Sequence, residues 1–113
     1  MAKYEIDYFE LPVTSATESS AFFTKAFGFG SQSFGDGYIE VREGGVLGGL
    51  YSGDDKAAAP LLGIRTDDIA ASESAVVAAG GIVTRATYAY PGGQRFYFRE
   101  PGGVELLVYQ PDE

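Results

Sequence analysis

The chain has 113 residues and contains neither cysteine nor histidine. This length suffices for one hydrophobic core and is too short for two independent ones, so the sequence predicts a single domain over residues 1–113. The absence of both residue types excludes disulfides, thiolate chemistry and the usual zinc sites, which need Cys or His. A metal ion would therefore need a shell of carboxylate oxygens.

The formal net charge of −8 argues against nucleic acid as a partner. Only eight Lys and Arg stand against sixteen Asp and Glu, whereas duplex binding needs clustered basic residues that neutralise phosphates. The sequence has no apolar run of membrane-spanning length and no signal-peptide core, which predicts a cytoplasmic protein without a membrane partner. The acidity either serves solubility, which we favour, or attracts a cationic ligand to a cleft.

The first half of the chain predicts a strand, a helix and three short strands. The strand covers residues 4–13 and the helix 17–27, where apolar residues recur at helical spacing. Thr14 or Ser15 caps the start of the helix, and Gly28 supplies its stop. Three strands follow between glycine-rich turns, at residues 32–34, 38–42 and 46–51.

The second half repeats the same order after a polar linker at residues 53–59. It predicts a strand at 61–66 and a helix at 69–79 that ends in two glycines. Three strands then follow at residues 82–90, 95–99 and 104–109, with a turn at 91–93. The run GGVLGGLY at 44–51 parallels GGVELLVY at 102–109, which indicates duplicated modules at about 3–52 and 60–110 rather than chance recurrence of turn residues.

Several motifs together resemble one superfamily. The run FELPV at 9–13 leads into a helix that contains AFF at 21–23 and ends in FGF at 27–29. The run EPGG at 100–103 resembles the Asp-Pro-x-Gly turn before that superfamily's last strand. On these motifs the chain resembles the vicinal oxygen chelate superfamily of glyoxalases, bleomycin-resistance proteins and dioxygenases. The resemblance implies an α+β fold in which two βαβββ modules form a curved, cupped mixed sheet.

The metal-using members of this superfamily carry His, Gln or Glu ligands at one position on each of four strands. By register these positions fall at Tyr8, Gly49, Leu61 and Leu107. None supplies a good metal donor, and a one-residue shift in register brings no better donor into place. We therefore expect no metal and no cofactor, and metal-dependent glyoxalase or dioxygenase activity is not expected either.

Strand alternation predicts which side chains line the cup. If Tyr8 faces it, residues two apart on each strand share that face, which gives these candidate ligand-binding residues: Tyr8, Glu10, Tyr51, Arg65, Arg95, Tyr97, Glu105 and Tyr109. The tyrosines could stack on a planar or cationic ligand, while the charged residues fix its orientation. The alternative is an ordinary half-buried sheet surface, which tyrosines at this spacing form more often. The glycines at 48–49 indicate either close approach of a ligand or a second backbone, or a bulge.

Two functions remain open at this point. The first is a metal-free protein, similar to the bleomycin-resistance members, that binds an aromatic or cationic small molecule. The alternative is a metal-independent lyase or isomerase in which Glu10 or Glu105 acts as a base and Arg65 or Arg95 stabilises an enolate-like oxygen. The spacing singles out no catalytic residue.

The first predicted helix carries three phenylalanines within two turns, at positions 22, 23 and 27. This is more aromatic surface than one side of a short helix usually needs for its own sheet. We therefore expect a homodimer, because exposed apolar surface favours a partner. The alternative is a well-filled monomer core.

Overall fold

A computed structural model describes residues 2–35 and 37–113 of the chain. Over these residues the elements are β1 (Tyr4–Pro12), α1 (Ala16–Phe27), β2 (Gly30–Ser33), β3 (Tyr38–Arg42), β4 (Leu47–Tyr51), β5 (Leu61–Thr66), α2 (Ile69–Ala78), β6 (Ile82–Tyr90), β7 (Gly93–Arg99) and β8 (Glu105–Pro111). The order is βαβββ twice, and the strands pair both parallel and antiparallel. The predicted fold class, α+β with two βαβββ modules and a mixed sheet, is confirmed.

The described residues pack into two compact units. The N-terminal unit is Tyr8–Leu61, and the C-terminal unit joins Leu62–Glu113 with residues 2–7. The sequence repeat suggested a first module that begins near residue 3, whereas the start of β1 packs with the C-terminal unit. No helix in the described part of the chain is long and apolar enough to cross a membrane.

In the N-terminal unit the strands pair in the order β2-β3-β4-β1, with β1 parallel to β4 and the other neighbours antiparallel. Ser15 caps the start of helix α1, because its hydroxyl accepts a hydrogen bond from the Glu18 backbone N–H, so Ser15 rather than Thr14 is the cap. Gly28 caps the end of the helix, and its φ of 74° is in the left-handed region that favours glycine.

One face of this sheet packs under α1. The buried residues there are Ala16 from the helix and Val41 and Leu50 from the strands, and partly buried apolar side chains surround them. Because side chains alternate along a strand, the residues between these positions lie on the opposite face. We call that opposite face the helix-free face.

The C-terminal unit follows the same plan, with strand order β5-β8-β7-β6 and β5 parallel to β8. The Asp68 carboxylate accepts the Ala71 backbone N–H at 3.1 Å and caps α2. The core under α2 contains Ile69, Phe96, Phe98 and Val108. The unit therefore also has a helix-free face on the other side of its strands.

Strand β7 begins at Gly93, two residues earlier than predicted. Gly93 pairs with Tyr90 across the turn and with Pro111 on β8. A Cβ atom at Gly93 would clash with the carbonyl oxygen of Gln110, so only glycine allows this close pairing. The predicted turn over 91–93 therefore shortens to Pro91 and Gly92.

Candidate ligand-binding faces

The helix-free face of the N-terminal unit carries tyrosines and carboxylates. Glu10 on β1 and Glu40 on β3 both lie opposite Gly49 on β4, one from each side. In the next row Tyr38 lies opposite Tyr51. We call the set Tyr8, Glu10, Tyr38, Glu40, Tyr51 and Asp55 the tyrosine–carboxylate face.

Gly49 makes room for two phenol groups of the same unit. The hydroxyls of Tyr8 and Tyr38 are hydrogen-bonded to each other, and a Cβ atom at Gly49 would clash with the Tyr38 hydroxyl. On the other side of the sheet a Cβ atom at Gly48 would clash with the Phe9 ring. The register continues through both glycines. The two glycines therefore leave space for side chains of their own unit. Neither a bulge nor the close approach of a second backbone is needed to explain them.

Tyr8 keeps its proton throughout the physiological range. Burial raises the pKa of the Tyr8 hydroxyl far above its usual value, and the neighbouring Tyr38 adds to the rise. The charges of Glu40 and Glu10 act in the same direction. Tyr8 therefore presents a neutral hydroxyl group beside the carboxylates.

The acidic groups of this face outnumber the basic ones. Glu10 is only 2 % exposed. Glu40 accepts a hydrogen bond from the Arg42 Nε at 2.7 Å, so these two residues form an ion pair. The Tyr51 hydroxyl donates to the exposed Asp55 carboxylate. The rings of Tyr38 and Tyr51 lie 6.0 Å apart, so carboxylates flank an aromatic pair.

The helix-free face of the C-terminal unit is different, because arginines and tyrosines alternate across its strands. Arg65, Tyr109, Arg95 and Tyr88 form one row across the four strands of the unit. In the adjacent row Tyr97 lies opposite Arg85. We call the set Arg85, Tyr88, Tyr90, Arg95 and Tyr97 the arginine–tyrosine face.

The remaining predicted residues of this unit have partners outside that set. Arg65 lies 4.0 Å from the Asp7 carboxylate, and the Tyr109 hydroxyl donates to the same carboxylate. Burial, followed by that bond to Asp7, raises the pKa of Tyr109. Glu105 accepts a hydrogen bond from the Thr84 hydroxyl at 2.6 Å.

The structure thus brings Tyr8, Glu10 and Tyr51 together in one unit, and Arg95 with Tyr97 in the other. The sequence analysis missed other members of the two faces, which are Tyr38, Glu40, Asp55, Arg85, Tyr88 and Tyr90. For β3 a signal was present, because Tyr38, Glu40 and Arg42 alternate with the apolar Ile39 and Val41.

A cavity of about 330 Å³ lies elsewhere in the N-terminal unit, at the start of α1. Hydroxyl groups of Thr14, Ser15, Thr17, Ser33 and Ser52 line much of it. None of the candidate ligand-binding residues that we predicted from the sequence lines it. Within residues 2–35 and 37–113, no three carboxylates converge into a group that could hold a metal ion.

Comparison with known proteins identifies the family. The model of the glyoxalase/bleomycin resistance protein/dioxygenase superfamily matches residues 5–108, and the chain therefore belongs to that superfamily. No curated protein matches the sequence.

Solved structures share the fold at low sequence identity. An NAD-dependent benzaldehyde dehydrogenase from Legionella pneumophila is similar with a TM-score of 0.77 at 12% identity, over 93% of this chain and 98% of that one. A hypothetical protein from Bacillus halodurans has a TM-score of 0.76 at 13% identity, over 98% and 96%. A methylmalonyl-CoA epimerase from Mycobacterium tuberculosis has a TM-score of 0.68 at 13% identity, over 95% and 87%. Similarity at this level establishes the fold and leaves the function open.

Proposed function

We propose that this protein is a metal-independent member of the superfamily that binds a small, planar organic cation on its tyrosine–carboxylate face. The observation that supports this proposal is the aromatic pair of Tyr38 and Tyr51, flanked by the carboxylates of Glu40 and Asp55. A cation above a tyrosine ring gains about 0.5–2 kcal/mol, depending on how far water is excluded. A carboxylate at the rim of the ring adds Coulomb attraction to that gain.

Metal independence rests on the donor chemistry of the four family positions. Tyr8 carries a phenol whose pKa is raised, so it keeps its proton and is a poor ligand. Gly49 has no side chain, and phenol groups of the same unit fill the space above it. Leu61 and Leu107 are buried hydrocarbons. This donor set does not fit a divalent cation, which prefers carboxylate, imidazole or carbonyl ligands.

The charge balance of the face favours a cation over an anion. Glu10, Glu40 and Asp55 contribute three carboxylates to this face, and the Arg42 guanidinium pairs with Glu40. An organic anion would meet net repulsion here and would also have to displace part of that pair. A planar cation can instead stack on the tyrosines without breaking a bond.

The test uses proflavine, a planar cationic dye, and coumarin, a planar dye without charge. We expect saturable binding of proflavine, seen as fluorescence anisotropy, and a much weaker response to coumarin. Removing the ring in Tyr51→Ala and the charge in Asp55→Asn should each weaken proflavine binding about tenfold, since one charged contact is worth about 1–2 kcal/mol.

Asp54→Asn provides the matched control, because it removes the same charge from the neighbouring exposed residue. This change should leave the affinity within about twofold, since the Tyr51 hydroxyl is bonded to Asp55 and a separate exposed charge contributes little. Equal weakening by Asp54→Asn and Asp55→Asn would contradict the site and leave only general attraction to an acidic protein.

A separate observation supports a second candidate function. Glu10 is a buried carboxylate on the same face as the hydroxyl pair of Tyr8 and Tyr38. A carboxylate can take a proton from a carbon next to a carbonyl group, and neutral phenols can donate hydrogen bonds to the enolate oxygen that results. This is the predicted metal-independent lyase or isomerase, with phenols in place of the arginines that the sequence suggested.

A further inference from the structure

The arginine–tyrosine face of the C-terminal unit holds one guanidinium in a fixed position. The Arg95 guanidinium carbon lies 5.5, 5.1 and 5.6 Å from the ring centroids of Tyr88, Tyr90 and Tyr97. Its Nε donates a hydrogen bond to the Tyr88 hydroxyl at 2.6 Å. The rings of Tyr88 and Tyr97 are themselves stacked, 6.3 Å apart. A side chain held this way loses little further freedom when it binds a ligand.

A second guanidinium lies on the same rings. The Arg85 guanidinium carbon is 3.7 Å from the Tyr88 centroid and 5.8 Å from that of Tyr97. Arg85 is exposed and Arg95 is half-buried, so both can be reached from solvent. Because both guanidinium groups lie over the rings of Tyr88 and Tyr97, one anion with several oxygens can contact both.

An irregularity in β6 produces this arrangement. In a regular strand Arg85 and Tyr88, three residues apart, would point to opposite faces. The pairing of β6 with β7 shifts register between them, so that Arg85 lies opposite Tyr97 and Tyr88 lies opposite Arg95. Bulges of this kind re-aim side chains and are common beside functional sites.

The chemistry of the face selects the charge of its ligand. The tyrosine rings already contact cations of their own unit, so they do not favour a cationic ligand. Guanidinium groups match the two oxygens of a carboxylate or a phosphate. We propose that Arg85 and Arg95 form an oxyanion-binding site for a carboxylate or phosphate group of a small molecule. This site is in the other unit from the proposed cation site and does not depend on it.

The test follows the Nε–Hε signals of the arginines by two-dimensional ¹H–¹⁵N NMR of the whole chain. Pyrophosphate and malonate are titrated separately at constant ionic strength, with chloride as the non-oxyanion control. We expect saturable shifts of the Arg85 and Arg95 signals with at least one of the two. Tighter binding of pyrophosphate would identify a phosphate ligand, and tighter binding of malonate a carboxylate ligand.

The variants distinguish binding at this site from nonspecific effects of the protein's overall charge. Arg95→Gln should weaken binding about tenfold or more, because it removes a charged hydrogen-bond donor. Arg85→Gln repeats the test at an exposed position if Arg95→Gln fails to fold. Arg99→Gln is the matched control, since Arg99 shares strand β7 and the same face but donates to the Gly103 carbonyl at 3.0 Å. Shifts that do not saturate, or that Arg99→Gln reduces as much as Arg95→Gln, would overturn the proposal.

Discussion

Gly49 determines how the N-terminal unit uses its helix-free face. Without a side chain there, the hydroxyls of Tyr8 and Tyr38 meet above β4 at Gly49, in the row that carries Glu10 and Glu40. The result is a hydrogen-bonded pair of phenols next to buried and half-buried carboxylates. Gly49 has no functional group, but the space that it leaves allows the hydroxyls of Tyr8 and Tyr38 to form their hydrogen bond.

At this scale alternation along a strand was enough to place Tyr8 and Glu10 on one face, because the period of two is a local property. The same reasoning did not find Tyr38 and Glu40 as their neighbours. Their positions depend on the register of β3 against β4, which long-range pairing sets. On β6 the register shift after Arg85 hid Tyr88 in the same way, because the face of a residue past a bulge cannot be counted from the sequence.

The second candidate function is tested by substitution of Glu10. If Glu10 removes a proton next to a carbonyl group, the protein should catalyse exchange of that proton for deuterium in a simple 2-oxo acid, measured by ¹H NMR. Glu10→Gln should slow this exchange about a hundredfold or more, in line with the loss of a general base. Wild-type exchange no faster than buffer, or unchanged exchange in Glu10→Gln, would remove this candidate.

At the scale of elements, helix α1 exposes aromatic surface that the N-terminal core does not use. Phe22 and Phe27 are 59% and 61% exposed, and their rings lie 6.2 Å apart in an edge-to-face contact. Phe23 and Phe29 instead pack against the core. The homodimer therefore stays a proposal, and these two rings are the surface on which it would form.

The dimer is tested by native mass spectrometry at about 10 µM protein, where an interface with these aromatic anchors should be populated. Phe22→Gln and Phe27→Gln together should shift the population to monomer, because each ring contributes about 1.5–3 kcal/mol when fully buried. Val77→Gln on α2 is the control, since Val77 is 59% exposed and apolar but belongs to the other unit. A wild-type monomer would contradict the proposal, and so would equal loss of dimer in the control.

The elements themselves were predictable where local signals define them. The limits of α1 and α2 agree with the structure to within one residue, because Ser15, Gly28 and Asp68 act on the backbone next to them. The start of β7 was wrong by two residues because Gly93 is fixed by the distant carbonyl of Gln110. Strand boundaries that depend on contacts with other strands cannot be predicted from local sequence patterns.

At the scale of the whole molecule, one supersecondary plan is used twice with opposite charge character. The repeat in the sequence identified β4 and β8 as equivalent strands. Tyr51 and Tyr109 are equivalent in the pairing as well, since they lie opposite Tyr38 on β3 and Arg95 on β7. The repeat could not predict that carboxylates surround one tyrosine pair and guanidinium groups the other. Those charges come from β3, the loop after β4, β6 and β7, where the two modules differ in sequence.

Family membership was predictable from the first-helix motif and the last turn, and the match over residues 5–108 confirms it. The function was not predictable in the same way, because the superfamily places different chemistry on one fold. The four positions that we predicted for the family's ligands hold a phenol, a glycine and two leucines, and the proposed function therefore rests on the neighbouring side chains.

The most direct test of metal-independent cation binding is a calorimetric titration of proflavine into the protein before and after EDTA treatment, with the metal content determined on the same sample. We expect no stoichiometric transition metal and the same dissociation constant in both titrations, because tyrosine rings and carboxylates hold the cation. A stoichiometric metal whose removal abolishes binding, and whose return restores it, would contradict the proposed function.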